Sequence, residues 1–113
     1  VEGFKKYIFI GLLFVSCQTE EQQTPEGILT KQQMVAILQE LHQTEAKLLD
    51  AQLSADTATV LYKNYLTDIC KKHQTDTATF EKSFQYYSSY PDHFDLLYET
   101  VIDSLNRKNL SDN

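Results

Sequence analysis

The stretch Thr30–Leu53, TKQQMVAILQELHQTEAKLLDAQL, decides the fold class. At about 100° per residue, Met34, Ile37, Leu38, Leu41, Leu48 and Leu49 fall on one stripe, as they do in a helix with one face against a core. The start of this helix carries several agreeing signals. Thr30 followed three residues later by Gln33 has the form of a capping box, and Leu29 with Met34 takes the positions of a hydrophobic staple. Pro25, Glu26 and Gly27 make a turn just before it. The spacing predicts a helix from Lys31 to Leu53.

Outward from this stretch the pattern repeats. Ser54, Ala55 and Asp56 interrupt it, Asp56 or Thr57 caps the next helix, and that helix runs to His73 with Tyr62, Tyr65, Leu66 and Ile69 as its stripe. Asp76 caps a third helix, on which Phe80, Phe84 and Tyr87 line up around Ser83, a residue small enough to admit another helix. Pro91 suits the first turn of a fourth, because it has no amide hydrogen to lose there. Asp92 and Asp95 near its start and Arg107 and Lys108 near its end complement the helix dipole. Phe94, Leu97, Tyr98, Val101 and Leu105 form its inner edge. The expected fold is all-α, a small bundle of four amphipathic helices over residues 30–108, with residues 109–113 as a disordered tail.

Composition agrees. Three Gly, two Pro and no valine- or isoleucine-rich alternation argue against a sheet. The formal net charge is −6, so the surface would repel phosphate and a nucleic-acid partner is not expected.

The N-terminal end adds an address. Lys5 and Lys6 precede the uncharged run Tyr7–Val15, which has the length of a secretory h-region and is too short to cross a hydrocarbon core of about 30 Å. Val15, Ser16 and Cys17 resemble the last three lipobox positions of a bacterial lipoprotein signal peptide, with Phe14 standing where Leu is usual. This resemblance implies that residues 1–16 are removed, that Cys17 carries lipid, and that residues 17–29 tether the fold to a membrane. If Cys17 is acylated, Cys70 has no partner within the chain. Beside Leu66 and Ile69 it reads as a buried, inert thiol. Gln18, Thr19, Glu20 and Glu21 look like the export signals that send lipoproteins of Bacteroidota to the outer face of the outer membrane. The expected location is therefore the outer membrane, on its periplasmic face or at the cell surface.

From Pro25 onward, PEGILT, LHQTEA, KKHQTD, FEKSFQYYSSYP and LYETV together resemble a family of short, uncharacterised lipoproteins of Bacteroidota. The pattern FxxSxxYYxxxP, Phe80–Pro91, is its most specific part. It implies an envelope location and a helical fold, and carries no activity. A fainter similarity links residues 71–87 to the helical arms of periplasmic folding factors related to parvulins, which implies a chaperone-like alternative.

Three candidate sites emerge. Placing Met34 at 0° puts Glu45 at about 20°, in the centre of the apolar stripe, where a carboxylate needs a partner. On the second helix His73 falls between Tyr62 and Leu66, so His73, a tyrosine hydroxyl or Lys47 is expected to hold Glu45. The result is either a satisfied core pair or a ligand or catalytic site built from Glu45, His42 and His73. His42 and Glu45 are spaced to face one metal. However, the di-iron carboxylate bundles require Glu-x-x-His from two helices, so neither a metal nor a cofactor is expected. Tyr86 and Tyr90 either rim the core or form a recognition patch, since tyrosine suits surfaces apolar at one end and wet at the other. No catalytic motif stands in the chain. The expected function is a lipid-anchored, non-enzymatic module that binds a protein or peptide during envelope assembly or maintenance.

Overall fold

The computed structural model describes residues 24–112. The expected leader, Cys17 and most of the expected tether lie outside them. Four helices follow in order: α1, Lys31–Asp50; α2, Ala55–Lys72; α3, Thr77–Ser88; and α4, Pro91–Ser111. No strand occurs among the described residues. The chain is an all-α bundle.

Local chemistry sets most boundaries. Thr30 caps α1 in a full capping box, accepting from Gln33 N–H while the Gln33 side chain accepts from Thr30 N–H at 2.8 Å. Asp76 caps α3 by accepting from Thr79 N–H at 2.7 Å. Pro91 occupies the first turn of α4. The cap of α2 is Ser54, not Asp56 or Thr57, because its hydroxyl accepts from Thr57 N–H and Asp56 then falls in the first turn. α1 stops at Asp50 rather than Leu53, since Gln52 turns into the left-handed region at φ 52°. α4 runs on through Asn109–Ser111, so the expected tail is helical up to Ser111.

The core draws on only part of each long helix. Met34, Ile37, Leu38 and Leu41 come from the first half of α1, and Leu66, Ile69 and Cys70 from the second half of α2. Phe80, Ser83 and Tyr87 of α3 and Leu97 and Val101 of α4 complete it. The stripe continues in sequence through Leu48 and Leu49, but Leu49 is 81% exposed. Tyr65, on the expected stripe of α2, is also exposed. The far end of the α1–α2 hairpin reaches past the core, and its apolar residues have no third helix over them.

The segment before α1 belongs to the fold. Pro25–Ile28 form a turn closed by Ile28 N–H to Pro25 C=O at 3.2 Å, with Gly27 at φ 79° where a type II turn needs a positive φ. Leu29 then buries its side chain, its N–H donates to Ser83 Oγ at 2.8 Å, and its C=O accepts from Tyr87 O–H at 2.8 Å. Ser83 therefore admits a strap of backbone rather than another helix. Its hydroxyl donates onward to Thr79 C=O at 2.7 Å, so no lone polar group is buried there. The packed unit thus begins ahead of Thr30, inside the range expected to be tether.

Candidate functional site

Between the end of α1 and the start of α2 lies an open cleft of about 590 Å³, with Leu48, Leu49 and Leu53 among the residues on one wall and Ala58 and Tyr62 on the other. Its lining is mostly apolar, and Glu45 is its one charged member. On the α2 side Ala55 and Ala58 are too small to fill the space, so the cleft stays open. Val60, on the same stretch of α2, is 59% exposed.

Glu45 is not buried as the helical wheel implies. Its side chain is 40% exposed and pairs within α1, with His42 Nδ1 donating to Oε2 at 2.9 Å. That one-turn contact replaces all three expected partners: His73, a tyrosine hydroxyl and Lys47. The carboxylate still acts on the neighbouring phenols. Burial first, and then the charge of Glu45, pushes Tyr62 and Tyr98 above the ordinary tyrosine range. The His42 ring stacks at a tilt against Tyr98, with centroids 5.8 Å apart, and its Nε2 is enclosed without a hydrogen-bond partner. A His–carboxylate pair resembles a general base, but here the far nitrogen is shut away from the cleft. A molecule entering the cleft meets the carboxylate and not the imidazole.

His73 serves a different contact. Its Nε2 lies 3.3 Å from Glu40 Oε1, the same oxygen that accepts from Lys72 Nζ at 2.7 Å. Burial raises the Glu40 pKa, but the hydrogen bonds and charges of Lys72 and His73 outweigh this and leave it below the usual carboxylate range. The group ties the C-terminus of α2 to the middle of α1, and two groups on α2 satisfy the acid. It is a joint between helices, away from the cleft. His42, Glu45 and His73 therefore do not meet in one place.

The third candidate stands at the other end of the molecule. Tyr86 is half-buried, its ring 5.2 Å from Tyr87 and 5.3 Å from Tyr90, and Tyr90 in turn sits 5.6 Å from the His93 ring. Tyr90 is 50% exposed. The two tyrosines are adjacent and share one edge, with Tyr86 leaning inward and Tyr90 outward.

A family model described as a domain of unknown function, DUF4296, matches residues 25–110, which is most of the chain. The chain belongs to the DUF4296 family. No curated protein and no solved structure gives a match. The DUF4296 match begins at Pro25, the first residue of the turn that leads into the Leu29 strap. Among the described residues of this domain, no group of three or more His, Cys, Asp or Glu side chains converges as a metal site. No helix among them is long and apolar enough to cross a membrane. Cys70 is fully buried, and burial, followed by the charges of Asp76 and Glu81, pushes its thiol pKa up.

Two features of the DUF4296 domain are missed by periodicity. The strap clamp needs Phe80, Ser83 and Tyr87 on one face, and its signal was a small polar residue set between aromatic ones at helical spacing. The cleft needs an apolar stripe that outlasts the core, which periodicity cannot distinguish from a buried one.

Proposed function

We propose that this DUF4296 protein is a lipoprotein of the Bacteroidota outer membrane, held by acyl chains on Cys17. In this reading it is a non-enzymatic module that binds another protein through the α1–α2 cleft. The partner segment is apolar and carries a cation, Lys or Arg, set opposite Glu45. The observation that carries this reading is the cleft itself: aliphatic walls left open to solvent with a single, half-exposed carboxylate. A net charge of −6 favours a cationic visitor to an open apolar cleft.

Other occupants fit less well. A small molecule needs several converging polar groups to fix its orientation, and the cleft offers one carboxylate. A chaperone groove between α3 and α4 would need open aromatic walls, whereas Phe84 and Phe94 close on one another edge to face at 5.8 Å. Anchoring follows from acyl burial at about 0.8 kcal/mol per methylene, so more than one chain holds the protein stably.

Two experiments test the parts separately. A photo-crosslinking residue in place of Leu49 should capture a discrete protein in the native envelope, and adding Glu45→Lys should abolish capture while the helical circular dichroism is kept. Capture unaffected by Glu45→Lys would contradict the cleft. Labelling with radioactive palmitate should be lost in Cys17→Ala, and retention of label would contradict the anchor.

A further inference from the structure

The caps of the four helices differ in one respect. Thr30, Ser54 and Asp76 each accept a backbone N–H at the start of α1, α2 and α3, while α4 begins at Tyr90, whose side chain makes no cap bond. Polar caps stabilise by about 1 kcal/mol, so an aromatic residue there forgoes stability that Ser or Asp would supply. Neither the Tyr86 nor the Tyr90 hydroxyl makes a hydrogen bond among the described residues. Tyr90 is half exposed with its ring against Tyr86 and His93, which leaves an apolar body and a wet tip at the surface.

The strap places this edge relative to Cys17. The Thr24 side chain stands beside the Tyr87 phenol, and Tyr87 is the neighbour in sequence and ring contact of Tyr86. From Thr24 back to Cys17 is seven residues, which even fully extended span at most about 25 Å. The cleft lies at the other end of α1, where the 19 residues from Thr30 to Leu49 cover about 28 Å. A lipid on Cys17 would therefore keep the tyrosine edge within about 25 Å of the bilayer, with the cleft about 28 Å farther along α1.

Resting on the anchor reading above, we propose that Tyr86, Tyr90 and His93 form a contact with the headgroup–acyl boundary of the membrane that holds the lipid. Tyrosine prefers this layer because its ring is apolar and its hydroxyl wants water. The contact is weak alone and is populated because the short tether keeps its effective concentration high. The charges beside it set the lipid preference. Asp92 and Asp95 on the first turns of α4 and Glu26 in the strap turn outnumber Lys82, whose ammonium lies by Gly27, so a zwitterionic surface suits the edge better than an anionic one. The result is orientation: the bundle stands on its tyrosine edge and presents the cleft outward.

The chain has no Trp, so one can be placed as a probe. Lipidated full-length Tyr90→Trp and Leu49→Trp proteins are reconstituted in phosphatidylcholine vesicles containing lipid brominated near the top of the acyl chains, and flotation is measured alongside fluorescence. The expected result is at least twofold quenching with a blue shift at position 90, none at position 49, and less quenching when anionic phosphatidylglycerol is added. Floating protein with position 90 unquenched overturns the membrane contact and leaves the anchor standing. Emission at position 90 that changes only when envelope proteins are added would assign the edge to a protein partner and also overturns it. Protein that fails to float overturns the anchor reading itself, and the contact with it. Tyr90→Ser supplies a second check. It should match or exceed the parent in urea stability yet lower protection of the α4 start from proteolysis on vesicles; loss of folding stability would overturn the reading of Tyr90 as a surface residue.

Discussion

The Leu29 backbone is the most tightly specified residue-scale feature, because its N–H and its C=O are both buried and each has one side-chain partner on α3. Ser83→Ala leaves the Leu29 N–H buried and unpaired, so it should cost about 1–3 kcal/mol in urea unfolding, against almost nothing for the exposed Ser88→Ala. Tyr87→Phe should cost about 1–2 kcal/mol. Because both bonds hold one residue, the double variant should cost less than the two single losses added. The titrating residues set the pH limits. Glu40 has a lowered pKa in the fold, so it contributes stability above the unfolded carboxylate value of about 4.3, and that contribution is lost as pH falls through its folded value. Asp76, held down by the Thr79 N–H, adds a loss of the same sign. Cys70, Tyr62, Tyr87 and Tyr98 are raised, so their contribution is present below the ordinary thiol and phenol ranges and is lost as pH climbs from about 8.5 past about 10. Thermal melts across pH should therefore fall at both ends, and Glu40→Gln should flatten the acid limb.

At the scale of elements, helix existence was readable from the chain and helix ends less so. The 3.6-residue period and the Thr30 and Asp76 caps predict α1 and α3 because those signals are local and uncontested. The end of α1 was not legible, since Leu53 continues the apolar pattern while Gln52 adopts φ 52°. Backbone conformation there is decided by the turn into α2 rather than by hydropathy. Gln74, at φ 60° after α2, is a similar left-handed C-terminal residue. Gln74→Gly should stabilise by up to about 1 kcal/mol, read as a higher urea midpoint, because glycine takes that conformation without a steric penalty. Glu45 shows the limit of the helical wheel. Its angle is right, but its depth is set by how far neighbouring helices extend, and at that level of α1 the cleft replaces a core.

For the whole molecule, the structure has two unlike ends. The core lies toward the strap, where Leu29, Ser83 and Tyr87 fasten the chain's entry, and the far end of the α1–α2 hairpin carries Leu49 and Val60 in the open. Leu49→Asp should leave stability within about 0.5 kcal/mol of the parent, as expected of a surface position, and should abolish partner capture. By contrast, Leu97→Ala in the core should cost about 2–5 kcal/mol, much of what a small domain has in total. Such a difference between two leucines would show that the exposed face contributes little to folding. The proposed anchor would account for the polarity: a chain fixed at Cys17 would have a near end and a far end, with the far end free to meet a partner. The most direct measurement is the intact mass and fragmentation of the N-terminal peptide from protein extracted from its own membranes. The account predicts a peptide that begins at Cys17 and carries acyl chains; an unmodified peptide that still contains Lys5, Lys6 and Cys17 in one piece would contradict it.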